Sequence, residues 1–171
     1  IVEYPVETAY CLALIHCSDR YSITPRWVLR NYPRVESIMA TLRNKPCLTG
    51  CSYCNHALDI NSGLKRFFGF KSYRSYAGEP LQEKAVSAAI QGKSILVVFP
   101  TGGGKSLTFQ LPALMSAESA KSLTIVISPL QSLMKDQVDN LEKAGITDAV
   151  TINGMLDPIE RAKSYERVED G

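Results

Sequence analysis

Seven residues, Pro-Thr-Gly-Gly-Gly-Lys-Ser at positions 100–106, constrain this chain more than any other stretch. Consecutive glycines serve either a tight turn, where positive φ is needed, or a loop whose backbone comes close to a bound anion. The flanks separate the two. Ser94–Phe99 (SILVVF) is a short β-branched run of the kind that forms a strand buried on both faces. After the loop, Leu107, Phe109, Leu111, Leu114 and Met115 stand at helix-compatible spacing. The order strand, Gly-rich loop, helix places free backbone N–H groups and the positive end of a helix dipole at the loop. This is the arrangement of a phosphate loop. Its glycines let the backbone approach the phosphates, Lys105 neutralises the outer phosphates, and the Ser106 hydroxyl is a ligand for Mg²⁺. The strict pattern G-x-x-x-x-G-K-[ST] asks for Gly at position 99, where this chain has Phe99. A turn with an incidental lysine remains the alternative.

The 171 residues suffice for one ordinary domain, or a small module and a partial one. With 45% hydrophobic and 21% charged residues, the composition is that of a globular protein with a substantial core. A net charge of +2 neither demands nor excludes nucleic acid, because binding depends on local basic patches. No apolar run approaches the roughly 18 residues of a membrane span. Ile1 resembles neither an initiator nor a signal peptide, so the expectation is a piece of a longer, non-membrane chain. Its expected location is the cytoplasm in a bacterium or the nucleus in a eukaryote.

All five cysteines and both histidines precede residue 57. That break divides the sequence into an amino-terminal unit, residues 1–62, and a second unit, residues 63–171, joined near Asp59–Lys65 (DINSGLK). In the first, residues 5–16 and 33–42 read as helices. Thr24 is an N-cap with Pro25 at the first helical position. Arg26, Arg30 and Arg34 are either a DNA-touching set or a solvated face. Cys47, Cys51, Cys54 and His56 are close enough in sequence to surround one tetrahedral Zn²⁺, with Cys17 or His16 as substitutes. Reduced thiols in a small core are the competing reading, and a C-x₃-C-x₂-C iron–sulfur site a third. An odd cysteine count beside a phosphate loop argues against a secreted disulfide framework.

The second unit reads as helix Pro80–Gln91, strand Ser94–Phe99, loop, helix Lys105–Ala117, strand Leu123–Ser128, helix Leu130–Ala144, strand Ala149–Ile152 and helix Pro158–Val168. Such alternation predicts an α/β fold with a parallel sheet covered on both faces and the ligand at the strand carboxyl ends.

Three blocks in this order, LKRFFGFKSYR, LQEKAVSAAIQGKSILVVFPTGGGKSLTFQLPAL and TIVISPLQSLMKDQVDNLEKAGI, closely resemble the start of the first motor domain of RecQ-type DNA helicases of superfamily 2. The resemblance covers roughly residues 64–153 and implies an incomplete RecA-like ATP-binding domain that follows a small, mainly helical Cys/His module. It implies ATP and Mg²⁺ at Lys105 and Ser106, without need of Gly at 99, with Thr101, Gly102, Gly103 and Gly104 as the phosphate cradle and Gln82 as the residue that reads adenine. An amide suits that role because it offers one donor and one acceptor side by side. Phe70 and Arg74 match the residues that flank the base. The family's short F-R-P-G-Q link is replaced here by the longer YRSYAGEPLQ. Phe67 and Phe68 read as core.

The resemblance further implies that Ser128, Ser132 and Lys135, in SPLQSLMKDQ, contact DNA backbone phosphates, on single strands and at duplex junctions. Leu130, Leu133, Met134, Val138 and Leu141 would turn inward from the same helix. No D-E-x-H box precedes Gly171, so the expectation is weak nucleotide binding without hydrolysis or unwinding unless the remainder of a helicase chain is present. A non-catalytic nucleotide-sensing or DNA/protein-binding module is the alternative.

Overall fold

The structure, a computed structural model, describes residues 3–16, 24, 26–42, 45–46, 49–120 and 122–170. The first helices are α1 (Pro5–His16), α2 (Arg26–Asn31) and α3 (Val35–Leu42). They meet around a small cluster of Cys11, Val28, Val35 and Met39, all at most 3% exposed. The Cys11 thiol points at the Val35 carbonyl, 3.6 Å away. Burial pushes its pKa up, which makes it a small core hydrophobe and not a reactive thiol. Pro25 lies outside the described residues. Arg30 and Arg34 are exposed, with the Arg34 guanidinium 5.3 Å from the centre of the Tyr4 ring.

Next come α4 (Ser52–Leu58) and α5 (Ile60–Phe68), separated by Asp59 alone. The Asp59 carboxylate accepts from Ser62 N at 2.9 Å, from Asn61 N at 3.4 Å and from the Ser62 hydroxyl at 2.5 Å. This N-cap starts α5, and Gly69 in the left-handed region (φ 68°) ends it. The expected join at Asp59–Lys65 falls at this N-cap and along α5, where Leu64 is 1% exposed in the second core. The Ser62 hydroxyl is the main reason the Asp59 pKa is lowered. A depressed carboxylate pKa adds stability that is present above the unfolded pKa of about 3.9 and is lost as pH falls through the folded value. We expect Asp59→Ala to cost about 1 kcal/mol at pH 7. Urea unfolding of both proteins should show that difference shrinking between roughly pH 5 and pH 2, once the wild-type carboxylate protonates. A pH-independent difference would mean that Asp59 acts through packing alone.

The second core joins Leu64 to Val86 and Ile90 of α6 (Leu81–Ile90) and to Leu107, Leu111 and Met115 of α7 (Leu107–Ala120). Phe67, Phe68 and Tyr73 pack against it, as their apolar character suggests. The inward stripe of α7 repeats every four residues, so Phe109, expected on that stripe, is instead 36% exposed. α8 (Gln131–Lys143) and α9 (Pro158–Asp170) follow. On α8 the expected apolar face is only partly inward: Leu141 is buried, Met134 and Val138 are half-buried, and Leu130 and Leu133 are exposed. No described helix is long and apolar enough to cross a membrane.

The expected parallel sheet is the main departure. Among the described residues no strand forms at 94–99, 123–128 or 149–152, and the one β-bridge joins Tyr76 to Glu79. The residues still alternate: Phe99 is buried and Val97 half-buried, whereas Leu96 and Val98 are 92% and 81% exposed. Ile125 and Ile127 are likewise 78% and 91% exposed. Buried parallel strands need laddered neighbours and a cover on each face, and β-branched sequence alone supplies neither.

Candidate nucleotide-phosphate site

The loop runs from Pro100 into the first turn of α7. Thr101 and Gly102 are exposed, and Gly102 and Gly104 adopt left-handed φ values of 74° and 69°. A Cβ on Gly103 would lie 2.8 Å from the Pro100 carbonyl oxygen. On Gly104 it would meet Gln82 Nε2 at 2.6 Å. Glycine is thus required at both positions, by close approach to backbone at Gly103 and by φ at Gly104. The Lys105 ammonium folds back to donate to the carbonyls of Phe99 at 3.0 Å and Pro100 at 3.2 Å. Thr108 Oγ1 donates to the Lys105 carbonyl at 2.7 Å, fixing the first turn of α7.

Three side chains hold the outer edge of this loop by successive carbonyls. Arg74 Nη1 donates to Gly102 O at 2.7 Å, the Tyr76 hydroxyl to Gly103 O, and Gln82 Nε2 to Gly104 O at 3.0 Å. Gln82, 3% exposed, also accepts from the Arg74 N–H at 2.9 Å. One of its N–H groups and one acceptor lone pair remain beyond those bonds, which is what pairing with a base edge requires. The structure thus brings Arg74 and Gln82 to the loop. Phe70, 54% exposed, stacks with Phe68 at a centroid distance of 6.1 Å.

Tyr76, which the sequence reading did not single out, holds the loop through its hydroxyl. It lies in the longer link, where Tyr76 and Glu79 exchange backbone bonds of 2.8 and 2.9 Å around Ala77 and Gly78. Both central residues have positive φ, 50° and 82°, the pattern of a two-residue hairpin turn. That turn aims the Tyr76 ring at Phe99, with centroids 4.7 Å apart. Ala-Gly is not among the usual hairpin pairs, so the sequence carries no ready signal for this turn.

On the other side of the loop, Ser106 Oγ accepts from Gln137 Nε2 of α8 at 2.9 Å. Gln137 Oε1 in turn accepts from Gln110 Nε2 at 2.6 Å. Ser132 and Lys135 are exposed on α8, and half-buried Ser128 precedes it, its hydroxyl 3.4 Å from both Leu130 N and O. These three are brought to one helix and its entry, away from the position of Phe70 in sequence and on a separate element from the loop.

The Cys/His cluster fares differently. Cys47 lies outside the described residues, as does Cys17. Cys54 is buried in α4, Cys51 stands half-buried just before it, and His56 is exposed. The His56 Nε2 atom is 3.1 Å from Arg66 Nη1. A guanidinium can only donate, so this nitrogen is the acceptor and its lone pair is turned to a cation, not to a metal. Among the described residues no group of three or more His, Cys, Asp or Glu is placed to hold a metal ion. The zinc expectation accordingly finds no support here.

The chain is 49% identical over 111 residues to a rat protein named ATP-dependent DNA helicase Q5, a match covering 64% of this chain and 10% of the relative. It is 51% identical over 85 residues to ATP-dependent DNA helicase RecQ of Haemophilus influenzae, covering 50% and 12%. To ATP-dependent helicase SGS1 of Saccharomyces cerevisiae it is 56% identical over 94 residues, covering 46% and 6%. The chain therefore spans only about a tenth of the length of such relatives, which are RecQ-type helicases. No solved structure matches it. The sequence profile of the DEAD/DEAH box helicases matches residues 79–170, from the turn before α6 through the loop to the end of α9. With 92 of 171 residues (79 to 170 inclusive) inside that match, the chain belongs to the DEAD/DEAH box helicase family.

Proposed function

We propose that this chain is the ATP-binding portion of a RecQ-like, ATP-dependent DNA helicase, and that in the complete protein it couples ATP hydrolysis to translocation along DNA and unwinding. The observation that carries the reading is the loop: two left-handed glycines and one hemmed in by a carbonyl, set at the start of α7 between Lys105 and a latched outer edge. Family kinship over residues 79–170 supports a RecA-like arrangement there. The reading takes residues 63–171 as that domain and residues 1–62 as a helical accessory module. Kinship does not favour a non-catalytic nucleotide-sensing module.

In this reading Thr101–Gly104 cradle the phosphates. Lys105 leaves its two loop carbonyls to pair with the β/γ-phosphates, and Ser106 holds Mg²⁺, which supplies charge neutralisation between them. Gln82 reads the adenine edge with its remaining donor and acceptor, and Arg74 and Phe70 flank the base. Ser128, Ser132 and Lys135 hold DNA backbone phosphates, contacts that carry no base sequence and suit a motor that moves along single strands and junctions. The rest of the helicase chain supplies the acidic pair that orients the attacking water. The location that goes with this role is the bacterial cytoplasm or the eukaryotic nucleus.

Titration with a fluorescent ATP analogue and Mg²⁺, and with single-stranded DNA of two unrelated sequences at several salt concentrations, tests the reading. Saturable nucleotide binding, together with DNA binding that weakens with salt equally for both sequences, is the expected result. Absence of nucleotide binding up to millimolar concentration would sink it.

A further inference from the structure

We propose that Gln137 is the positioning residue for the magnesium ligand of the phosphate loop, an inference that rests on the nucleotide-binding reading above. The Gln137 side chain reaches from α8 to donate to Ser106 Oγ at 2.9 Å. Gln110 Nε2 donates to Gln137 Oε1 at 2.6 Å, so turning the Gln137 amide by itself would set two NH₂ groups against each other. Gln110 is four residues after Ser106, so it rises from the next turn of the same helical start and fixes the far end of the chain of bonds.

All three side chains are half-buried, where a bond between neutral groups competes less with water than at an open surface. A serine hydroxyl has one proton and two lone pairs. Gln137 engages one lone pair. A second lone pair and the hydroxyl proton are left for a divalent cation and a phosphate oxygen. Without the amide, Ser106 rotates among its staggered χ1 wells and must be ordered each time the cation binds. Gln137 thus plays the part that outer partners of metal ligands commonly play, orienting a ligand without touching the ion.

A purely structural role for Gln137 would be to tie α8 to α7, and it predicts lower stability with no change in metal dependence. The measurement that separates the two is nucleotide affinity in EDTA and across a Mg²⁺ series, for the wild-type chain, Gln137→Leu, Gln110→Leu, Ser106→Ala and the Ser106→Ala/Gln137→Leu double variant. We expect Gln137→Leu to raise the Mg²⁺ concentration for half-maximal effect about tenfold while leaving the affinity in EDTA unchanged. Gln110→Leu should give a smaller shift in the same direction, and it carries the test if Gln137→Leu does not fold. In the Ser106→Ala background, Gln137→Leu should add nothing. An unshifted Mg²⁺ dependence, or equal losses with and without Mg²⁺, overturns the inference while leaving nucleotide binding standing. A wild-type chain that binds no nucleotide overturns both.

Discussion

Lys105→Ala weakens binding of Mg²⁺ and a fluorescent ATP analogue by about ten- to a hundredfold. The figure follows from the loss of one charged hydrogen-bonding partner, worth roughly 1.5–3 kcal/mol, with about 1.4 kcal/mol for each factor of ten. In the free chain the same ammonium joins the Phe99 and Pro100 carbonyls, so its removal also releases one edge of the loop. The other edge is held independently by Arg74, Tyr76 and Gln82. Lys105→Ala should therefore keep its fold, with a melting temperature close to that of the wild type, while binding fails. Lys105→Met, which keeps the side-chain length and drops the charge, should bind as poorly. Wild-type affinity in either variant would remove the lysine from the phosphate site.

What could be read ahead of the structure depended on how local the cause was. The 5–16 helix and α6, α8 and α9 lie where their periodicity puts them, because a helix satisfies its own backbone. The glycine-rich turn at 102–104 was legible because glycine is demanded there by φ and close approach, constraints that act within a few residues. The strands were not: their formation depends on neighbours, and Leu96, Val98, Ile125 and Ile127 present apolar surface to solvent without a ladder. Tyr76 and Gln137 were missed for a similar reason. Each reaches the loop across a long stretch of sequence, 27 residues to Gly103 and 31 to Ser106, and no spacing rule announces such a contact. For the cysteines, sequence proximity of Cys51, Cys54 and His56 brings no three such donors together among the described residues, and Cys47 lies outside them.

Leu111→Ala should cost about 2–5 kcal/mol, against a total stability of roughly 5–15 kcal/mol for a domain of ordinary size. Leu111 is fully buried in the cluster of Leu64, Val86, Ile90, Leu107 and Met115, where truncation leaves a cavity bounded by three helices. The loss reaches the site as well, because α7 carries Ser106 at its start and Gln110 beside Leu111, so a loosened α7 also loosens the bonds to Gln137. Leu96→Ala is the informative contrast. The same chemical change at a side chain 92% exposed should shift stability by no more than about 0.5 kcal/mol. Urea midpoints of the two variants decide between two arrangements of the segment before the loop. A large difference between them supports an apolar edge left open beside a helical core. Equal, large losses would mean that Leu96 is buried in a sheet and that the run 94–99 is a covered strand leading into the phosphate loop.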